Sequence, residues 1–78
     1  MKYFYKTKFG TFWIVPAPQG GYNLIIDDET VNWGNSAEAL ANDVFTGNSG
    51  FDDWDFYYVD QMGDIECPTD LSEWIVQK

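Results

Sequence analysis

Four runs rich in aromatic and β-branched residues open this chain, and each is cut short by a turn signal, so its first half can fold into little other than a meandering sheet. Tyr3 to Thr7 is followed by Phe9-Gly10, a turn candidate, and Thr11 to Val15 continues as a second strand. Pro16, Pro18, Gly20 and Gly21 form the next turn cluster, ahead of a third strand, Tyr22-Asn23-Leu24-Ile25-Ile26. Asp27-Asp28-Glu29 is a polar turn, and Thr30 to Trp33 is a short fourth strand. Sequential strands joined by short turns pair antiparallel.

The pattern then changes period. Ala37, Leu40, Ala41, Val44 and Phe45 recur at helical spacing, with Glu38, Asn42 and Asp43 pointing outward. Asn35 is expected to cap this helix, with Glu38 at the third helical position completing a capping-box-like pair, and Gly47 to end it near Thr46. Asn48 to Asp55 reads as a loop, Phe56 to Val59 as a strand, and Asp60 to Asp64 as irregular. Pro68-Thr69-Asp70-Leu71 suggests a tight helical turn before Trp74-Ile75-Val76, a terminal strand or apolar plug. The expected fold is α+β: one domain over 1–78, an antiparallel meander of three to four strands, one helix on a face, and a C-terminal aromatic segment.

Seventy-eight residues leave room for one small core, which must be dense in large side chains. Four Trp, five Tyr and six Phe supply that density, so the high charge does not imply disorder. In the second strand Phe12 and Ile14 face one way and Trp13 and Val15 the other. Either the C-terminal segment covers the second face or aromatics are exposed there; coverage is the expectation, because so small a chain has few aromatics to spare.

Charge restricts function. The net charge is −9, and between Lys8 and Lys78 there is no lysine, arginine or histidine, while all 13 carboxylates fall in that interval. The remaining cations, Lys2, Lys6 and Lys8, belong to the first strand and its turn. Such a body steers cations and repels polyanions and anionic lipid. No apolar run approaches the length of a membrane span, and the N-terminus lacks the pattern of a signal peptide. The single cysteine, Cys67, allows no internal disulfide, which favours a reducing cytoplasm.

Chemistry finds little purchase. With no histidine, the usual nucleophilic triads and zinc sites have no members. Asp52-Asp53-Trp54-Asp55 lacks the alternation and the sixth-position glycine of an EF-hand loop. A paired-carboxylate glycosidase needs a cleft deeper than this chain offers. The reading is a non-enzymatic module without cofactor or metal. Asp27, Asp28, Glu29, Glu38, Asp43, Asp52, Asp53, Trp54 and Asp55 flank one helix and are expected to form a continuous partner-binding patch. The expected partner is a basic protein surface, such as that of a nucleic-acid-binding protein, bound without direct contact to nucleic acid or membrane by a monomer or weak dimer. Inhibition of the DNA-mimic or phage anti-defence type fits that chemistry.

Two other readings use different residues. A small-ligand or carbohydrate module would use Trp13, Trp33 or Trp54, and a nucleic-acid reader would use Lys2, Lys6 and Lys8. Three strands followed by a helix resemble the plan of the plant AP2 domain, although the basic residues that grip phosphate there are missing from the third and fourth strands. Finally, Tyr5-Lys6-Thr7, Gly10-Thr11-Phe12-Trp13-Ile14 with Pro16, Asp27-Asp28, Ala41-Asn42-Asp43-Val44 with Thr46-Gly47, and Pro68-Thr69-Asp70-Leu71-Ser72-Glu73-Trp74 resemble a group of short uncharacterised bacterial and phage proteins. That resemblance implies no activity.

Overall fold

The structure, a computed structural model, describes residues 1–60 and 71–77. The expected meander is present as β1 (Lys2–Thr7), β2 (Gly10–Pro16), β3 (Tyr22–Ile26) and β4 (Glu29–Gly34). A fifth strand, β5 (Ile75–Gln77), pairs with β1, so the open antiparallel sheet has five strands in the order β4-β3-β2-β1-β5. Register follows the inward apolar residues: Tyr5 lies opposite Phe12, Tyr3 opposite Ile14, and Ile14 opposite Leu24. Phe12, Ile14, Leu24 and Ile26 are fully buried on this inner face. A bulge between Leu24 and Ile25 shifts the β3–β4 pairing. Beyond it Asn32, paired with the inward Leu24, donates from Nδ2 to the Asp43 carboxylate at 3.2 Å.

Helix α1 (Ala37–Phe45) lies on the inner face, burying Ala37, Leu40, Ala41 and Val44, while Phe45 is only half-buried. Its cap is Ser36, not Asn35: Ser36 is extended, and its Oγ accepts from the Ala39 N–H at 3.1 Å. Glu38 therefore occupies the second helical position, one short of where a capping box would close. The cap still contributes about 1 kcal/mol. At the other end Gly47 adopts φ +76°; its N–H reaches the Val44 carbonyl and that of Asn48 reaches Asp43, which closes a Schellman motif.

A second helix, α2 (Asp52–Asp60), replaces both the loop expected through Asp55 and the strand expected from Phe56. Its nucleus is a local hydrogen-bond system. Ser49 Oγ accepts from the Phe51 N–H, while Asp55 accepts from the Ser49 N–H, the Ser49 hydroxyl and the Gly50 N–H. The consecutive aspartates that read as loop occupy the first helical turn, where the helix dipole favours negative charge. Trp54 is buried, donates from Nε1 to the Val44 carbonyl at 3.1 Å, and meets Phe12 and Phe9 edge-on. Lys8 caps the assembly, its ammonium 3.9 Å from the centre of the Tyr57 ring.

After the undescribed interval, Leu71–Glu73 form a short 3-10 turn, and Trp74 packs into the core with its ring 5.9 Å from Tyr5. The C-terminal aromatic segment thus completes the inner face and does not cover the outer one. Expectations for Asp60 to Asp64 in part, for Cys67 and for Pro68 to Asp70 lie outside the described residues.

Candidate functional site

Both helices and the 3-10 turn pack on the Phe12–Ile14 side, and no described element crosses the opposite side. There Ile75, Phe4, Trp13 and Ile25 stand in register across four strands, with the Phe4 and Trp13 rings 4.9 Å apart. Lys2 and Lys6 alternate with Phe4 and so share its face. Among the described residues, no carboxylate occupies a strand position on that face. The strand cations Lys2 and Lys6 thus lie on the open side, and the described carboxylates on the helical layer and the β3–β4 turn, where Lys8 also sits against Phe9 and Tyr57. Trp33, on the same open side, is held rigidly. Its Nε1 donates to the Gly20 carbonyl, and its ring lies so close to Gly21 (φ +71°) that a methyl there would fall 2.6 Å from Cζ2.

The expected acidic patch divides into groups with different duties. Asp27, Asp28 and Glu29 are exposed at the β3–β4 turn. This turn sits beside the β1–β2 turn, since a methyl on Gly10 would come within 3.0 Å of Asp27 Oδ1. Asp52 and Asp53 are exposed on the first turn of α2, which packs against Phe9 in that same β1–β2 turn. These five carboxylates thus lie on elements that meet at the β1–β2 turn. Asp55 does not join them, because its carboxylate is occupied by Ser49 and Gly50. Trp54 is an interior residue and offers no contact surface. Asp43 is half-buried and accepts from Asn32. Glu38 is exposed, but on the first turn of α1, at the opposite end. The single continuous patch expected from sequence is thus divided: Trp54 is interior, Asp43 and Asp55 are engaged by hydrogen bonds, and Glu38 stands apart from Asp27, Asp28, Glu29, Asp52 and Asp53. A metal-binding set is not formed: among the described residues no three Cys, Asp or Glu side chains converge.

The β3–β4 turn carries backbone strain. Asp27 and Asp28 form a two-residue hairpin loop, both at positive φ (53° and 63°), the geometry of a type I′ turn. Asn-Gly is the residue pair such a turn prefers, and Asp in place of Gly at its second position adds backbone strain. Asp28→Gly is expected to raise unfolding stability by about 1 kcal/mol, measured by urea titration, since it relieves that strain. An unchanged or lower midpoint would show that the left-handed Asp28 carries no stored cost.

A second feature could not have been read from sequence, because its walls come from three distant segments. Tyr3, Glu38, Leu71, Ser72, Trp74 and Val76 line an open cavity of about 450 Å³. Trp74 is 4% exposed, and its Nε1, closed off from solvent, has no hydrogen-bond partner among the described residues. An unmet buried donor costs about 1–3 kcal/mol.

Comparison with family models, with curated proteins and with solved structures finds no match to this chain. Among the described residues, no helix is long and apolar enough to cross a membrane.

Proposed function

We propose that this protein is a non-enzymatic acidic interaction module that docks its Asp27-Asp28-Glu29 and Asp52-Asp53 end onto a basic protein surface, acting as an inhibitor of the DNA-mimic kind. The placement of charge carries this reading: Asp27, Asp28, Glu29, Asp52 and Asp53 lie on elements that meet at the β1–β2 turn, with Lys8 beside them, while the strand lysines Lys2 and Lys6 lie on the open sheet face. Acidity serving only solubility would not need that separation. The strained Asp27-Asp28 turn supports it further, since backbone strain is more often kept where the side chains have a use.

The mechanism is electrostatic. The cluster steers a cationic surface into register, much as the phosphates of a nucleic acid would, and competes for the same lysines and arginines. A short poly-L-lysine peptide carrying a fluorescent DNA duplex is a suitable probe. The protein is expected to displace the duplex, and the Asp52→Asn/Asp53→Asn variant to do so about tenfold less effectively. Equal displacement by the variant would remove those residues from the interface.

A further inference from the structure

Resting on that reading, we infer that the cavity between α1, the 3-10 turn and the β1–β5 edge is a receptor for one basic side chain, arginine or lysine, presented by the partner. Its chemistry is specific. Leu71, Val76 and the rings of Tyr3 and Trp74 offer apolar surface to an aliphatic stem. The half-exposed Tyr3 ring and the exposed Glu38 carboxylate favour a cation at its tip. An anionic ligand would meet Glu38, and a purely apolar one would leave Glu38 unanswered. The cavity volume lies within the range of small-ligand sites. The net charge of −9 raises the local concentration of cations around it.

The test is a titration of the whole ¹⁵N-labelled protein with N-acetyl-arginine amide, N-acetyl-lysine amide and the neutral isostere N-acetyl-citrulline amide. The Trp74 indole N–H signal, assigned by its loss in Trp74→Phe, is the readout. Saturable shifts with the two cationic amides, about tenfold weaker binding of the citrulline amide and a similar weakening in Glu38→Gln are expected. No shift, equal binding of citrulline amide, or an unaffected Glu38→Gln variant would overturn the assignment. Glu38 is exposed, so that variant keeps the fold. Asp52→Asn/Asp53→Asn is expected to leave arginine-amide binding unchanged. Loss of arginine-amide binding while poly-L-lysine still binds would sink the cavity assignment alone. Failure of both probes would sink the module reading with it.

Discussion

Replacing Trp54 with alanine is expected to destabilise the protein by about 3–5 kcal/mol, the usual cost of removing a large buried aromatic. The ring touches every part of its surroundings: Phe12 from the sheet, Phe9 from the β1–β2 turn and, through Nε1, the Val44 carbonyl of α1. Truncation opens a cavity and also frees α2 from the layer beneath it. A chain of this size has a total stability of about 4–12 kcal/mol, so a large share would be lost. Urea unfolding followed by near-ultraviolet circular dichroism would measure it. A loss below about 1 kcal/mol would mean that α2 is not docked through this residue. Trp54→Phe, which keeps most of the packing and drops the hydrogen bond, should fall between the two.

The second large effect separates aspartates that are neighbours in sequence. Asp55→Ala is expected to cost about 3 kcal/mol, because it removes a charged acceptor from three donors, two of them on the fully buried Ser49. Asp55→Asn should cost roughly half as much, since its oxygen can still serve Ser49 while its amide opposes the Gly50 N–H. Asp52→Asn and Asp53→Asn, exposed on the first turn of α2, should each change stability by about 0.5 kcal/mol or less, a lost dipole contact offset by relieved repulsion. Binding is expected to respond in the reverse order. Asp52 and Asp53 weaken it directly, and Asp55 acts only through the fold. Equal destabilisation by all three would contradict the division of roles.

The reverse turns and the strong helix were legible because their signals are local. Alternation placed β2 and β3, the glycine at 47 ended α1 where expected, and small alanines marked its buried face. The cap was misread by one residue because Asn35 and Ser36 are both competent caps, and only the backbone geometry decides between them. α2 was hidden for a different reason. Its buried contact rests on Trp54, and its start is fixed by Asp55 reaching back across Ser49 and Gly50, a pattern that composition alone reads as loop. β5 depends on pairing with β1, more than 70 positions earlier in the chain, which no local window contains. The acidic residues were visible in the sequence, but their surroundings were not. Whether a carboxylate faces solvent, a backbone amide or an asparagine is settled by tertiary packing.

Where charge sits, and not how much of it there is, remains the central claim, and a charge-matched pair of variants tests it most directly. Asp52→Asn/Asp53→Asn and Gln19→Lys/Gln77→Lys change the net charge equally, the first at the cluster and the second at exposed positions away from it. Affinity for poly-L-lysine, measured by titration at low and at physiological salt, should fall about tenfold for the first variant and less than about twofold for the second, with added salt weakening all three proteins. Equal losses in the two variants would mean that net charge alone governs binding, and the acidic end would then have no claim to be a site.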